Sequence, residues 1–382
     1  MALKKIGFIG CGLRSRTMLE AFRSLEADIE VRAAADPAWR EIAPQVKEEA
    51  FFAHTAWYDS AEEMLKEEGL DGVFIGTRCS SHTHYACLVL KEGLPLFLEK
   101  PVCVSRAQYE QLREAAEGKE KSVVVSFPLR VTPIVEEMKR IADSGILGKI
   151  IMVQAVNNVP YGSVYYHSWY RDPMETGGLF LQKATHDVDY IHYLTGERPV
   201  SVCAKTAKLY FKGDRPANLS CPQCPEYHTC RESSYTVKHI YKDDVQGEGC
   251  CFAADTGNED AASMILQTES GALISYNQVF MVKKSAARRG CRLIGTEGSA
   301  EFDFNTGEIR EDRYFTPQTV IHTFRFPAGQ HFGGDEALAL DFLNVLSGGA
   351  ARSDLKAGLE SAAVCLAARE AAEAGRFMPI LY

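Results

Sequence analysis

The chain has 382 residues, 46% of them hydrophobic and 24% charged, which is typical of a soluble globular protein with more than one domain. Its formal net charge of −9 argues against broad binding of nucleic acid or an anionic membrane, because both need a cationic surface. No apolar run approaches the ~20 residues that span a bilayer, and the start "MALKKIGFIG" lacks the longer apolar region of a signal peptide. We therefore expect a cytoplasmic protein.

The first part of the chain alternates short β-branched runs with helical segments, the pattern of a parallel sheet with helices on both faces. The predicted strands are "KIGFIG", "IEVRAAAD", "GVFIGT", "LPLFLE" and "SVVVSF". We assign residues 1–126 to a dinucleotide-binding domain of the α/β, doubly wound Rossmann class.

The pattern changes after "SFPLRVTP". A helix is followed by longer strands, among them "KIIMVQAVNN" and "ALISYNQVFMV", which predict an open-faced, mostly antiparallel sheet in an α+β domain at residues 127–382. A polar, irregular, cysteine-rich excursion occupies about 212–251, and helical segments close the chain.

A glycine turn lies between the first strand and the first helix. "GFIGCGLRSRTM" gives Gly10-x-Gly12-x-x-Ser15, in which the first glycine permits a tight turn and the second lets a pyrophosphate approach the backbone at the helix N-terminus. Ser15 replaces the usual third glycine, and it is small enough for close packing of helix and strand. Asp36 ends the second strand, where a carboxylate binds ribose hydroxyls and repels a 2′-phosphate. NAD is therefore favoured over NADP, although the nearby Arg40 weakens that preference.

A second motif, "FLEKPVCVS", closes the fifth predicted strand. Together with the glycine turn, "TRCSSHTHYACLVLKEG", "GTEGSAEFDF" and "GGDEALALDF", it resembles the Gfo/Idh/MocA oxidoreductases, and the resemblance extends over nearly the whole chain. It implies a Rossmann domain, an open-faced sheet domain, and NAD(P) in the cleft between them. It also implies dimers or tetramers.

The resemblance implies that Lys100 reaches both the nicotinamide ribose and the substrate oxygen, where an ammonium can polarise a carbonyl. Thr77 and His82 match a threonine and a histidine that lie near the cofactor in the family. The predicted cofactor contacts are Gly10, Gly12, Leu13, Arg14, Ser15, Asp36, Thr77, His82, Glu99 and Lys100.

The remaining chemistry is predicted in "GGLFLQKATHDVDYIHYLTG". His186 matches the histidine of the family's aspartate-x-glycine-x-histidine signature, and imidazole can take a hydroxyl proton near neutral pH. The signature departs at Gln182 and Ala184, where the family often has aspartate and glycine. Lys183 adds a cation that favours an unprotonated His186, so we predict Lys100, His186 and Lys183 as catalytic residues.

Substrate contacts are predicted around "YYHSWYRDPMETGG", because aromatic rings and guanidinium groups bind polyols and sugar acids. The predicted residues are Arg130, Tyr166, Arg171 and Asp187. The loop "HFGGD" resembles one that closes over the cleft in relatives, with Asp335 as a helix N-cap as the alternative.

These features favour an NAD-dependent dehydrogenase acting on a hydroxyl of a sugar, inositol or related polyol. Two alternatives remain open. One is a glycosidase-type enzyme that uses bound NAD without net redox change, and the other is a non-catalytic, sugar-responsive regulatory protein.

The cysteines of "SCPQCPEYHTC" need a separate explanation. Cys221, Cys224 and Cys230, with Cys250 or Cys251 further on, form a pattern that can complete a tetrahedral thiolate set around a structural zinc. We take Cys250 as the fourth ligand, and His228 could replace it. An iron–sulfur cluster, reduced thiols and disulfides are the alternatives.

Overall fold

The computed structural model describes residues 3–66, 69–243, 245–326 and 331–382. The chain forms two compact units. The first combines the chain up to Glu136 with Phe326–Ala363 and Tyr382, and the second consists of Glu137–Arg325 and Val364–Leu381.

Between residues 4 and 143 the strands and helices alternate, as predicted. In chain order they are β1 (Lys4–Ile9), α1 (Leu13–Ser24), β2 (Ile29–Ala35), α2 (Trp39–Val46), β3 (Ala56–Tyr58), α3 (Ala61–Met64), β4 (Gly72–Ile75), α4 (His82–Lys91), β5 (Leu96–Leu98), α5 (Arg106–Ala115), β6 (Val123–Val125) and α6 (Pro133–Asp143).

The described strands of the first unit form one parallel sheet of order β3-β2-β1-β4-β5-β6. This is the strand order of the classical dinucleotide-binding fold, and it confirms the predicted fold class. Three stacked rings fill the middle of the sheet: Phe74 lies 4.9 Å from Phe8 and 4.8 Å from Phe97 between ring centroids. The order reverses between β1 and β4, so the loops after these strands meet at the sheet edge where such folds bind ligands.

The remaining elements belong mostly to the second unit. In chain order they are β7 (Ile150–Asn158), α7 (Val164–His167), α8 (Pro173–Thr176), α9 (Thr185–Thr195), β8 (Pro199–Ala207), α10 (Ser234–His239), β9 (Ala261–Thr268), β10 (Leu273–Val279), β11 (Arg288–Gly295), β12 (Gly298–Asp303), β13 (Glu308–Arg313), β14 (Thr319–Thr323), α11 (Gly334–Leu346), α12 (Leu355–Ala374) and β15 (Met378–Pro379). No helix of the described ranges has the length and apolar character that a membrane span requires.

The second sheet has the order β14-β13-β12-β11-β7-β10-β9-β8-β15 among the described strands. Only the β7–β10 pair is parallel among these strands, so the predicted mostly antiparallel sheet is confirmed. Alternate residues of β9 and β10 are exposed on one face, and those between them are buried on the other. This alternation is that of a sheet with one open face.

The tail does not follow the predicted division at residues 126 and 127. The prediction assigned all of 127–382 to the second domain, whereas Phe326–Ala363 belongs to the first unit. Helix α11 packs on α1 and the sheet, with Phe342 ring centroids 6.5 Å from Phe22 and 5.6 Å from Phe97. The apolar face of a helix does not indicate which sheet the helix covers. The sequence therefore could not predict that α11 packs in the first unit.

Candidate active site

The glycine turn after β1 is closely packed. Gly10 has φ +84°, and a Cβ there would lie 2.9 Å from the carbonyl carbon and oxygen of Gly76. Both the conformation and the contact therefore require glycine. Gly12 is the N-cap of α1, and a Cβ at Gly12 would be 3.9 Å from the Gly76 oxygen, so the backbone here is open to a ligand.

The N-terminus of α1 offers its N–H groups to an anion. Within the described residues no side chain caps it, and its first turn carries no acidic residue. Leu13 is exposed at the first helical position, whereas Ser15 is buried and donates a hydrogen bond of 2.7 Å to the Gly10 oxygen. Gly76 makes room for Ser15, since a Cβ at Gly76 would lie 2.5 Å from its Oγ. The serine is therefore accommodated where the motif has a third glycine, and the turn fits a pyrophosphate.

Asp36 lies at the carboxyl end of β2, as predicted. One carboxylate oxygen accepts from the Cys11 N–H and the other from the Ala38 N–H, each at 2.8 Å. Each oxygen keeps a further lone pair, so the carboxylate can also accept from ribose hydroxyls. Arg40 forms an exposed ion pair with Asp59 at 2.8 Å.

Arg14 binds protein carboxylates, a role that the sequence does not indicate. Its Nε lies 2.9 Å from Glu99 Oε1, and its Nη2 lies 2.9 Å from Asp335 Oδ1. Both carboxylates are buried. Burial raises the pKa of Asp335, but the hydrogen bond and charge of His331, with the charge of Arg14, lower it to about 2. Arg14 and Glu99, both predicted to contact the cofactor, thus bind each other. Asp335 is not the N-cap of α11, because Gly333 occupies that position.

The loops after β4 and β5 are joined by His82. Its Nδ1 lies 2.8 Å from the Pro101 oxygen and its Nε2 lies 3.2 Å from the Thr77 oxygen. Burial lowers the pKa of His82. A neutral ring has one N–H donor, and the shorter contact places that hydrogen on Nδ1, which donates to the Pro101 oxygen. Thr77 Oγ1 lies 2.7 Å from Ser81 Oγ. Lys100 stands between Glu99, which pairs with Arg14, and Pro101, whose oxygen contacts the buried His82, so the backbone that carries its side chain is held on both sides.

In the second unit, Lys183 and His186 are both buried. A turn of π-helix, Phe180–Ala184, leads into α9, and π-helical turns are frequent at functional sites. Lys183 Nζ donates to the Tyr161 hydroxyl at 2.5 Å. Burial lowers the pKa of Lys183. Tyr161 is the partner that the sequence prediction missed, and only a long-range contact could have identified it.

Asp187, predicted to contact the substrate, is instead fully buried and engaged by protein groups. One carboxylate oxygen lies 2.8 Å from Arg289 Nε, and the other accepts from Asn157 Nδ2 at 2.7 Å and from the Tyr276 hydroxyl at 2.8 Å. These three partners come from β11, β7 and β10. Asp187 therefore attaches α9 to the sheet.

The other predicted substrate residues also have structural contacts. Tyr166 is buried, donates to the Glu259 oxygen at 2.6 Å, and stacks on Phe211. Arg171 pairs with Asp255 at 2.7 Å. Arg130 is 9% exposed and donates to the Arg352 oxygen at 3.3 Å in the first unit. All three residues therefore have structural contacts, and their contact with a substrate stays a prediction.

Comparison with known proteins identifies the family to which the chain belongs. The model of the NAD-binding Rossmann-fold oxidoreductase family matches residues 4–127, and that of the GFO/IDH/MocA C-terminal domain matches residues 135–301. The chain belongs to the Gfo/Idh/MocA family. It is an oxidoreductase with the family's NAD-binding fold, as predicted.

Two curated Gfo/Idh/MocA relatives come from Bacillus subtilis. The oxidoreductase YteT is 26% identical over 422 aligned positions, covering 96% of this chain and 95% of YteT. The scyllo-inositol 2-dehydrogenase (NAD(+)) is 31% identical over 157 positions, covering 38% of this chain and 41% of that enzyme. Among solved structures, levoglucosan dehydrogenase in complex with NADH and levoglucosan superposes with a TM-score of 0.78 at 17% identity, covering 99% of this chain and 100% of that one. This last likeness shows the fold.

The five cysteines of the irregular excursion at about 212–251 have two kinds of surroundings. Cys224, Cys230 and Cys250 line a cavity of about 340 Å³ in the second unit. Cys221 and Cys251 lie beside His167, with Cys251 Sγ 3.1 Å from Nε2 and Cys221 Sγ 4.0 Å from Nδ1. Burial raises the pKa of Cys221, and its electrostatic interaction with Cys250 and Cys230 raises it further. Among the described residues, no group of three or more His, Cys, Asp or Glu is arranged to hold a metal ion. The predicted zinc set of Cys221, Cys224, Cys230 and Cys250 thus finds no support, and all twelve cysteines are free thiols.

Cys251 differs from the thiols that line the cavity because it forms a hydrogen bond with His167. His167 Nδ1 lies 2.6 Å from the Gly249 oxygen, so Nδ1 carries the hydrogen and Nε2 accepts from the thiol. Burial raises the pKa of Cys251 and lowers that of His167, so both groups are neutral. The pair is a buried thiol–imidazole hydrogen bond inside the core of the second unit.

Proposed function

We propose that this chain is an NAD-dependent dehydrogenase that oxidises a secondary hydroxyl of a sugar, inositol or related polyol. The observation that carries the proposal is the position of Lys100 after β5, two strands from the glycine turn that follows β1. Parallel sheets of this class bind ligands at the carboxyl ends of their strands. The relatives named scyllo-inositol 2-dehydrogenase and levoglucosan dehydrogenase support a cyclic polyol or sugar as the substrate class.

The first unit supplies the cofactor site in this proposal. The uncapped N-terminus of α1 takes the pyrophosphate, and Asp36 binds the adenosine ribose and disfavours a 2′-phosphate. When bound, NAD accepts the hydride from the carbon that bears the reacting hydroxyl. The protein's own side chains carry out the other steps.

Lys100 and His186 have different roles at the reacting hydroxyl group. The Lys100 ammonium stabilises the negative charge that develops on the oxygen as the hydride leaves. His186 takes the hydroxyl proton, a step that contributes about 10²–10⁴-fold to such reactions. The departure of Gln182 and Ala184 from the family signature leaves Lys183 as the additional charged group of this segment.

The open face of the second sheet supports a homodimer or homotetramer. Ile265 and Leu273, 51% and 41% exposed, lie on the alternating face of β9 and β10. Exposed apolar residues on a broad sheet face favour burial against a second copy of the chain. Light scattering should give the mass of a dimer or tetramer, and a monomer would contradict this part of the proposal.

The dehydrogenase proposal is tested by a panel of sugars and polyols with NAD, followed by NADH absorbance. We expect NADH with at least one cyclic polyol, and Lys100→Ala and His186→Ala should each lower kcat by about 100-fold or more. Lys91→Ala, at an exposed lysine that ends α4, is the matched control and should keep wild-type kcat. Full activity in both site variants would show that the catalytic assignment is wrong.

A further inference from the structure

The pair formed by Tyr161 and Lys183 in the second unit is not explained by the reaction described so far. Lys183 Nζ lies 2.5 Å from the Tyr161 hydroxyl and 4.7 Å from the centroid of its ring. A charged lysine only donates, so the tyrosine oxygen accepts and its own hydrogen points away from Lys183. A phenol that accepts from a cation is a stronger donor to a third group.

The two members of the pair differ in exposure. Lys183 is 5% exposed, whereas Tyr161 is 47% exposed and is one of the residues that line a cavity of about 180 Å³. In the same segment, Tyr165 and Tyr166 are buried in the core. Tyr161 is therefore the member of the pair that a ligand can reach, and Lys183 lies behind it.

We propose that Tyr161 is the group through which Lys183 acts on the substrate: its hydroxyl donates a hydrogen bond to a substrate oxygen, and Lys183 is a positioning residue. This inference rests on the proposed dehydrogenase activity and deepens it. The hydrogen bond stabilises negative charge on that oxygen during hydride transfer, and the proton stays on Tyr161. No further oxidant or reductant takes part.

The charges around Tyr161 make this role dependent on pH. Lys183 comes from the π-helical turn, Arg289 from β11, Asp187 from α9, and Tyr165 from α7. Burial opposes ionisation of Tyr161, but Lys183 and Arg289 outweigh it, so its pKa lies below the ordinary value. Because Tyr161 donates only while protonated, activity should fall as pH rises through this pKa, and a variant without the Lys183 cation should keep activity to higher pH.

The experiment compares Tyr161→Phe, Lys183→Met and Lys183→Arg with wild type across pH, using the best substrate of the panel. Tyr161→Phe should lower kcat by about 100-fold, as loss of one donor to developing charge does, and should remove the alkaline limb. Lys183→Met should move that limb to higher pH, and Lys183→Arg should restore part of the shift. Tyr210→Phe is the control, because Tyr210 is another partly exposed tyrosine, 36% exposed, whose hydroxyl contacts a charged side chain, Glu232. It should behave as wild type.

A second readout needs no turnover. The near-ultraviolet titration of wild type minus that of Tyr161→Phe isolates one phenol, which should ionise below the ordinary value of about 10. An ordinary or higher midpoint would overturn the inference, as would wild-type kcat and an unchanged alkaline limb in Tyr161→Phe. In that case wild-type NADH formation still supports the dehydrogenase. If no polyol yields NADH, the proposed function itself fails, and the inference fails with it.

Discussion

At the scale of single residues, many side chains of the candidate site form hydrogen bonds and ion pairs with other protein groups. Arg14 binds Glu99 and Asp335, and His82 contacts the loops after β4 and β5, the second of which carries Lys100. The sequence motifs identified these positions, because glycine turns and a Glu-Lys-Pro turn have local signatures. They did not reveal the partners, which lie up to 321 residues apart in the chain.

Asp187 allows a test of one such buried contact. Asp187→Ala leaves the Arg289 guanidinium buried without its carboxylate, so the free energy of unfolding should fall by about 3–5 kcal/mol. Chemical denaturation measures the change. The control is Glu301→Gln at the exposed pair with Arg288, where the effect should be small. Equal losses in both variants would show that Asp187 does not attach α9 to the sheet.

At the scale of elements, the strands of the first unit were predictable because each is a short β-branched run between turn signals. The edge strand β3 was missed, since its three residues Ala56–Tyr58 are too few to show a period. The π-helical turn before α9 was also missed. Its hydrogen-bonding pattern depends on tertiary contacts, and the sequence there reads as ordinary helix.

The turn between β1 and α1 provides a test at this scale. Gly10→Ala should lower stability by about 1–3 kcal/mol through its positive φ, and should weaken NAD binding because the new Cβ displaces the Gly76 backbone. Gly93→Ala is the matched control. It has φ +70° and no atom within 4 Å of an added Cβ, so it should lose a similar stability without any change in NAD affinity. Equal NAD affinity in the two variants, measured by fluorescence titration, would contradict the assignment of the turn.

At the scale of the whole molecule, the chain returns to its first unit after completing most of the second sheet. Helix α11 brings Asp335 to Arg14, a contact that no local pattern indicates. The family resemblance correctly predicted both fold classes, whereas the domain assignment of the tail depends on which sheet α11 covers. That choice is made by packing, as in the contact of Phe342 with Phe97.

The contacts of Asp335 with His331 and Arg14 make the stability of the protein depend on pH. The folded pKa of Asp335 is about 2, below its ordinary value of 3.8, so its contribution is present above about pH 4 and is lost as pH falls towards 2. The shift corresponds to about 2 kcal/mol. Asp335→Asn should therefore unfold more readily than wild type at pH 6, and the difference should shrink below pH 4. Asp312→Asn, at the more exposed pair with Arg310, is the control. A difference between wild type and Asp335→Asn that does not vary with pH would contradict this prediction.

The most direct test of the central claim is the stoichiometry of the wild-type reaction. NADH and the carbonyl product should accumulate together when the enzyme is supplied with NAD and a cyclic polyol or sugar from the panel. Hydrolysis of a glycoside without accumulation of NADH, or no reaction with any member of the panel, would contradict the assignment as an NAD-dependent polyol dehydrogenase.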